Sequence, residues 1–351
     1  MTRSLYYIGA FVCLLVLLVG FTHTGDTPAG TPPAVMQEET NQLRFLAVGD
    51  MNLGRRMGRM LLDGDTLAPF RLVGETFAKY DIVFGNLECP ISEQRGMTEH
   101  PQNNMIFTAP PVAAWSLARG GVNVVSTANN HALDFGVAAL HETRMWLDST
   151  GVVHAGTAAE PALLYEPALL MRNGIRIALF ACTDFVNDSP AGWNRVVASA
   201  DTARLFPRMR AWRDSVDFVI LSYHAGSEYT DQPAAAVRQF ARRAVDAGAM
   251  LVLGHHPHVP HGIERYQGAW IVHSLGNFVF RQPGRFWTQH GIAFAVTMER
   301  TGITRAIRDA RVLPVRSDFQ PAFLEPGAAY DRVIARVRAL STRGIEEFAL
   351  W

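Results

Sequence analysis

Histidines, which can bind metals and carry protons near neutral pH, are concentrated in one short stretch of the chain. Four of the 12 histidines lie within residues 255–261, in the sequence HHPHVPH, directly after the apolar run MLVLG. The same stretch could be a solvated loop, which Pro257 and Pro260 would suit. The residues after the other apolar runs decide between a functional histidine cluster and a solvated loop.

Polar residues of metal-ligand type come after four earlier apolar runs. GDMNLGRR follows RFLAV, GNLEC follows DIVF, TANNHALDFG follows VNVVS, and HAGSEY follows DFVILSY. Ligands of α/β proteins bind at the carboxyl ends of strands, and carboxylate, amide and imidazole groups together suit Mn, Fe or Zn. The pattern predicts one metal site at such an edge. Besides the histidine cluster, its candidate residues are Asp50, Glu88, Asn130, His131, His224 and Glu228.

Each of these residues also has a commoner structural role. Asp50 could be a turn or helix-cap residue, and Asn130 could belong to an Asx turn. His224 could be a structural histidine at the end of a strand. The coincidence of five such endings, each at the carboxyl end of a strand, favours a shared site.

The elements that must position these residues alternate along the chain. Apolar runs of four to seven residues are separated by amphipathic stretches at 136–149, 201–214 and 233–247. The runs are apolar throughout, as expected for strands buried on both faces. This order predicts an α/β protein whose sheets are covered by helices. Residues 291–300 and 303–315 flank Gly302 and predict an antiparallel hairpin, and residues 328–340 predict a surface helix.

The two ends of the chain differ from its body. Residues 4–21 follow Arg3 and carry no charge, which is about the lower length limit for a membrane-spanning helix. No A-x-A cleavage motif comes after them, so we expect a retained anchor at 1–22 with the body outside the cytoplasm. Residues 23–42, rich in Pro, Thr and Gly, predict a linker. The main domain is expected at 43–320, with a C-terminal helical tail at 321–351.

Composition excludes some classes of function. The formal net charge is zero, which gives no basis for binding nucleic acid. Lys79 is the only lysine, and it follows no glycine-rich loop, so the chain has no P-loop. Cys89 and Cys182 follow apolar runs and are expected to be inert core residues, although a disulfide is the alternative.

Five ordered motifs resemble one known family. The motifs are AVGDMNLGR, FGNLECPIS, STANNHALDFG, SYHAGSEY and GHHPHVPHGIERYQGAWIVHSLGNFVF. Together they resemble the CapA family of poly-γ-glutamate capsule synthesis proteins, which is similar to the calcineurin-like metallophosphoesterases. The resemblance covers about residues 43–320. It implies an α/β sandwich of two β-sheets flanked by helices (αββα), and it fits a membrane-anchored, extracytoplasmic body.

The resemblance also implies a ligand set for one or two divalent ions (Mn, Fe or Zn). Asn52 and Asn86 depart from the metallophosphoesterase pattern, which has a histidine and a bridging aspartate at these places. Glu88, two residues after Asn86, could restore the bridge by turning into the site. One metal position is implied through His224, Asn130 and His255, and a second through Asp50 and His258.

The same resemblance implies further roles. His131 would protonate a leaving oxygen, and Asp134 would fix its tautomer or, alternatively, cap the helix that starts near Gly136. Arg55 and Arg56 would hold phosphate or a polyanionic chain, or lie on a solvated helix face. The residues expected around the ligands are Asn52, Asn86, Glu228, His256 and Asn277, with His256 behind the ligands or exposed.

Three functions are compatible with these residues. The first is a role in synthesis or export of poly-γ-glutamate, with the polymer and membrane-bound synthase subunits as partners. The second is metal-dependent hydrolysis of a phosphoester or polymer. The third is a metal-binding accessory role without catalysis.

Overall fold

Strands and helices alternate along most of the chain. The computed structural model describes residues 40–342 and Ile345. The predicted anchor at 1–22 lies outside these residues, as does the predicted linker apart from residues 40–42, which begin the first strand. Within the described residues the strands are β1 Thr40–Met51, β2 Ile82–Leu87, β3 Glu99–His100, β4 Asn103–Phe107, β5 Val124–Ser126, β6 Val153–Ala155, β7 Ala168–Arg172, β8 Ile175–Thr183, β9 Phe218–His224, β10 Leu251–His255, β11 Ile263–Tyr266, β12 Ala269–Val272, β13 His290–Thr301, β14 Thr304–Arg316 and β15 Ala322–Phe323. The α-helices are α1 Arg55–Leu62, α2 Gly74–Phe77, α3 Val112–Arg119, α4 Gly136–Thr150, α5 Thr202–Arg213, α6 Ala235–Asp246 and α7 Ala328–Leu340.

The strands form two large sheets and one small hairpin. The first sheet has the order β15-β14-β13-β1-β2-β5-β6, and the second has the order β11-β12-β10-β9-β8-β7. Strands β1, β2, β5 and β6 are parallel, as are β8, β9, β10 and β12. In each sheet, parallel neighbours therefore end at the same edge. The hairpin of β3 and β4 stands apart from both sheets.

Three layers of apolar side chains hold the two sheets and the helices together. Phe45 and Phe84 of the first sheet pack with Phe218 and Trp270 of the second. Because neighbouring residues of a strand face opposite sides, Leu46 lies on the outer face of the first sheet. There the outer face packs against α1, α3 and α4 through Met57, Leu117 and Leu147. On the outer face of the second sheet, Phe180 and Leu221 pack with Leu205 of α5 and Phe240 of α6.

This layering confirms the predicted sandwich of two sheets flanked by helices. It also explains why the strands are apolar throughout, since both faces of each sheet are covered. The amphipathic stretches correspond to α4, α5 and α6, and the predicted hairpin is formed by β13 and β14.

The last described helix contributes to the core. Helix α7 has the bounds predicted for a surface helix, 328–340, but it buries Val333, Ile334 and Val337 in the layer between the sheets. Strand β15, which precedes it, pairs with β14. Strand β15 and helix α7 are therefore packed against the sandwich.

The two cysteines of the described residues are unpaired and buried. Burial raises the pKa of the Cys89 thiol to about 12, so the thiol is neutral at physiological pH. Both cysteines therefore act as core residues. Among residues 40–342 and Ile345, no helix combines the length and the apolar character needed to cross a bilayer.

Candidate metal centre

Strand register places candidate residues side by side at one edge of the sandwich. In the first sheet, Asp50 at the end of β1 lies opposite Asn86 of β2. In the second sheet, His224 at the end of β9 lies opposite His255 at the end of β10. A hydrogen bond between His255 Nδ1 and Asp50 Oδ1, 3.1 Å long, joins the two sheets. The carboxyl ends of strands from both sheets thus converge, as the sequence predicted for one edge.

Asp50 is a fully buried carboxylate that is held by donors from several elements. Its Oδ1 accepts from Asn86 Nδ2 at 2.9 Å, and its Oδ2 accepts from the backbone N–H of His256 at 3.3 Å. Burial by itself raises the pKa of Asp50, but the hydrogen bond from His255 and the charges of His255 and His258 outweigh it and leave the pKa below its usual value. Asp50 is therefore ionised at neutral pH.

Glu88 is equally buried, but neither of its carboxylate oxygens has a hydrogen-bond partner. Its Oε1 lies 3.7 Å from His224 Nε2 and 3.8 Å from His258 Nε2. Burial, followed by the negative charges of Asp50, Glu228 and Asp134, raises the pKa of Glu88 well above its usual range. Glu88 therefore lies inside the site, in the position that the sequence allowed for a bridging carboxylate.

Asn86 stands where the metallophosphoesterase pattern has a bridging aspartate, and its amide NH₂ group faces the other residues of the site. Asn129 Oδ1 accepts from the backbone N–H of His131, which turns Asn129 Nδ2 towards Asn86 Oδ1 at 3.2 Å. Asn86 Nδ2 consequently faces Asp50 Oδ1 and His224 Nδ1, at 2.9 and 3.2 Å. An amide N–H cannot bind a cation, so Asn86 orients the residues around it and Glu88 supplies the second carboxylate.

Other buried polar atoms of the site also have no hydrogen-bond partner. They include His255 Nε2 and His256 Nδ1. A buried polar atom without a partner costs about 1–3 kcal/mol. Several such atoms beside an unpartnered carboxylate indicate that the site is completed by a ligand.

The donor atoms are close enough to share a cation. Within each of two groups, Asp50–Glu88–His224 and Glu88–His256–His258, one atom from every residue lies within 4.8 Å of the others. Since bonds from a metal to nitrogen or oxygen are about 2.1 Å long, ligand atoms of one ion lie within about 4.2 Å of one another. The residues therefore fit a divalent cation after small side-chain movements, and Glu88 belongs to both groups.

His256 lies nearer the ligands than the sequence suggested. It was expected behind them or at the surface, but it is buried and its Nδ1 belongs to the unpartnered set. Its φ of 97° is in the left-handed region, and its ring packs edge-on against Phe185 at 5.1 Å. Burial, followed by the charge of His258, lowers the pKa of His256 to about 4, which keeps the imidazole neutral as a metal ligand requires.

The tautomer of His258 is fixed by its neighbour Asn277. Asn277 Nδ2 donates to the backbone carbonyl of Thr288 and to Gln282 Oε1, so its Oδ1 is the acceptor for His258 Nδ1 at 2.8 Å. His258 Nε2 is therefore the nitrogen with a free lone pair, and it faces Glu88. Glu228, which is exposed, lies 3.9 Å from the same nitrogen.

His224 and Asn130 form a direct contact on the other side of Glu88. His224 Nε2 lies 2.8 Å from Asn130 Oδ1. Burial, followed by the charges of His256, His255 and His258, lowers the pKa of His224 well below its usual range. His224 is therefore a neutral imidazole in the absence of a cation.

His131 and Asp134 form a pair next to this contact. His131 Nδ1 lies 2.7 Å from Asp134 Oδ2, and the ring stacks on Phe107 with centroids 4.1 Å apart. Asp134 Oδ2 also accepts from the backbone N–H of Phe107, and no side chain caps α4. Of the two roles considered for Asp134, the structure shows contact with His131 and no capping of α4.

Asn187 is a residue of the site that the sequence reasoning missed. Its Oδ1 accepts from Asn130 Nδ2 at 3.1 Å, and its Nδ2 lies 3.2 Å from His131 Nδ1. It lies after β8, so its position beyond a strand end was a signal that could have identified it. Asn187 links Asn130 to the His131–Asp134 pair.

The two arginines that come after β1 differ in their surroundings. The guanidinium of Arg55 donates to the backbone carbonyl of Asn104 and lies over the ring of Phe107 at 4.6 Å, which ties the β3–β4 hairpin to α1. Arg56 is exposed, and its guanidinium lies 5.4 Å from the ring centroid of Phe319. Arg56 is thus the more available of the two for a ligand.

The chain is similar to known proteins over the whole of this site. A family described as "Bacterial capsule synthesis protein PGA_cap" matches residues 44–282, a range that contains all the predicted site residues. The chain is 29% identical over 322 residues to the PGA biosynthesis protein CapA of Bacillus subtilis, covering 88% of this chain and 82% of that protein. It is 28% identical over 283 residues to the capsule biosynthesis protein CapA of Bacillus anthracis, covering 79% and 68%. Among solved structures, it is similar to the calcineurin-like phosphoesterase YfkN from Bacillus subtilis, with a TM-score of 0.49, 13% identity, and coverage of 86% of this chain and 98% of that one.

Proposed function

The chain belongs to the family of bacterial capsule synthesis proteins PGA_cap, and from this premise we propose that it acts in the synthesis or export of poly-γ-glutamate, with a divalent cation bound at the candidate metal centre. The names of its relatives support the polymer. The observation that carries the metal is Glu88, a buried carboxylate without a hydrogen-bond partner beside three histidines.

The residues proposed to hold the cation come from four strand ends and two loops. Glu88 contributes to both groups of donors, and Asp50 and His258 are held in place by Asn86 and Asn277. A divalent cation held by these residues would act as a Lewis acid and would lower the pKa of a water molecule. The proposed ligands are Asp50, Glu88, Asn130, His224, His255, His256 and His258.

We further propose that the body lies outside the cytoplasm, anchored through residues 1–22. Arg3 before the uncharged segment 4–21 supports this orientation. At the outer face of a membrane the protein would meet a polymer as it leaves its synthase. Protease treatment of intact cells is the test, because digestion of the body by external protease is expected and protection would contradict the orientation.

A matched pair of variants tests the metal centre. We expect the full chain, loaded with Mn²⁺ and desalted, to retain metal by elemental analysis and to lose it in Glu88→Gln. Glu75→Gln, on the exposed side of α2, is the control and is expected to retain metal. Equal metal content in the two variants would contradict the proposed centre.

Hydrolysis is a second candidate function, favoured by the His131–Asp134 pair. Asp134 accepts the Nδ1 proton of His131, which leaves Nε2 to deliver a proton to a leaving group or to remove one from a nucleophile. Phe107 stacks on the ring, and Asn187 joins the pair to Asn130. General acid catalysis of this kind contributes about 10²–10⁴-fold to a rate.

The hydrolytic role is tested by activity at constant metal content. With Mn²⁺-loaded protein and a nitrophenyl phosphodiester, His131→Asn is expected to lower kcat about 100-fold or more while its metal content stays that of the wild type. His141→Asn, exposed on α4, is the matched control. If the wild-type protein holds metal but does not hydrolyse phosphodiesters or γ-glutamyl oligomers, the accessory role remains and hydrolysis is excluded.

A further inference from the structure

A cavity of about 280 Å³ beside the metal centre is lined by four arginines and one glutamate. The arginines are Arg55, Arg56, Arg59 and Arg281, and the glutamate is Glu99. We propose that this cavity, called here the arginine pocket, seats a side-chain carboxylate of an acidic polymer whose chain crosses the metal centre. This inference rests on the function proposed above and adds the place where the polymer is recognised.

The arginine pocket and the metal centre share a wall. Asn52, which lines the pocket, lies two residues after Asp50. Phe280 also lines the pocket, and its ring centroid is 5.0 Å from that of His258. A ligand seated in the pocket therefore lies directly beside the proposed cation ligands.

The arginines of the pocket are only partly neutralised within the chain. Arg59 pairs with Glu99 at 3.2 Å, and Arg281 lies 3.6 Å from the half-exposed Asp318. Among the described residues, no carboxylate lies within ion-pair distance of Arg56. The guanidinium groups of Arg56 and Arg281 lie 5.4 and 5.6 Å from the same ring, that of Phe319. Guanidinium groups held on an aromatic ring remain free to bind carboxylate oxygens through their N–H groups.

A buried amide in the lining of the pocket indicates a ligand independently of the arginines. Asn52 is 6% exposed, and its Oδ1 accepts from the backbone N–H of Gly54 at 2.8 Å. Its Nδ2, the donor end, has no partner. An oxyanion in the pocket would accept from this group and would also meet the positively charged side chains that line the pocket.

The size and charge of the pocket favour a polymer carboxylate. A volume of about 280 Å³ is below the range of roughly 300–1,000 Å³ typical of sites that enclose a whole small molecule. It suits one side chain of a longer ligand. Partly exposed arginines bind each carboxylate weakly, so affinity would come from several acidic groups along one chain.

The test compares two double substitutions in the full chain. The probe is a labelled oligomer of ten γ-linked glutamates, with the equivalent glutamine oligomer as the neutral probe, and binding is measured by fluorescence anisotropy. Arg56→Gln with Arg281→Gln is expected to weaken binding of the acidic oligomer about tenfold or more. Arg208→Gln with Arg210→Gln, exposed on α5 on the far sheet, is the matched control and is expected to leave binding unchanged. Metal content is expected to be equal in all three proteins.

The possible results distinguish an error in the arginine pocket from an error in the proposed function. If the wild-type protein and both variants bind the acidic oligomer equally, the arginine pocket is not the subsite, although the polymer assignment stands. If the wild-type protein does not bind the acidic oligomer, or binds the neutral one equally, the polymer ligand is wrong for the pocket and for the protein. If inorganic phosphate binds in its place and depends on Arg56 and Arg281, the ligand is a phosphate and the inference is overturned.

Discussion

Two buried clusters in this molecule each place a glutamate beside histidines, but the two glutamates differ in their hydrogen-bond partners. At the metal centre, Glu88 lies beside three histidines and has no hydrogen-bond partner. In the second cluster, Glu264 of β11 accepts from Arg242 Nε at 2.5 Å and lies 3.1 Å from His273 Nε2. Both glutamates are almost fully buried.

The pKa values of the two carboxyl groups move in opposite directions. Burial raises both, but at Glu264 the hydrogen bonds from His273 and Arg242 outweigh burial and leave the pKa below its usual value. At Glu88 burial is joined by the charges of Asp50, Glu228 and Asp134, and the pKa rises well above its usual range. The carboxylate of Glu264 has its partners within the chain, whereas neither oxygen of Glu88 has a hydrogen-bond partner among the described residues, as expected if the proposed cation completes it. A buried glutamate beside histidines is therefore not by itself enough to distinguish a structural cluster from a candidate site.

The two clusters are best distinguished by how much Mn²⁺ raises the free energy of unfolding. At a free Mn²⁺ concentration of 100 times the dissociation constant, binding raises the free energy of unfolding by about 2.7 kcal/mol. We expect this gain in the wild-type protein and in Glu264→Gln, and no gain in Glu88→Gln, measured by chemical denaturation with and without Mn²⁺. A gain in Glu88→Gln as large as that of the wild type would show that the two clusters do not differ as described.

A smaller change in stability is expected at the cluster of Glu264, Arg242 and His273. Glu264→Gln leaves Arg242 without its charged partner, and because Arg242 is 42% exposed and can be solvated, we expect a loss of roughly 2 kcal/mol at pH 7. Since the folded pKa of Glu264 is lowered, the stability it contributes is present above the unfolded pKa near 4.5 and is lost as the pH falls below it. The difference between wild type and variant should therefore shrink on acidification, in denaturation curves recorded from pH 7 to pH 3. A constant difference would contradict an ionic role.

Much of the fold could be predicted from the sequence because its signals are local. Amphipathic stretches identified helices α4 to α6 to within two residues, and solid apolar runs identified β2, β5, β8, β9 and β10 equally closely. The run RFLAV covers only the middle of β1, and the short strands at the sheet edges were not identified. The two-sheet architecture was implied by the motifs, not by periodicity. Helix α7 had the predicted bounds, but its burial was not predicted, because whether a helix face packs depends on β11, β13 and β14, to which α7 packs.

The candidate site was predictable as a set of residues and not as an arrangement. Asp50 and His255 are separated by 205 residues, so their contact depends on how two sheets stack. The histidine cluster also divides: His255, His256 and His258 face the carboxylates, while His261 Nε2 bonds to the backbone carbonyl of Thr230. The donor orientation of Asn86 depends on Asn129, 43 residues away. No local pattern encodes these relations.

The smallest expected effect concerns the metal-free protein and has the opposite sign at the two glutamates. In the presence of a chelator, Glu88 is a buried carboxyl without a partner whose charged form is disfavoured by burial and by Asp50, so Glu88→Gln replaces an ionisable group by a neutral one. We expect it to raise the free energy of unfolding by about 1 kcal/mol, whereas Glu264→Gln lowers it. Glu75→Gln, at an exposed position, should change nothing. If Glu88→Gln instead destabilises the metal-free protein, Glu88 contributes to the fold through contacts within the chain, and no cation is needed to complete it.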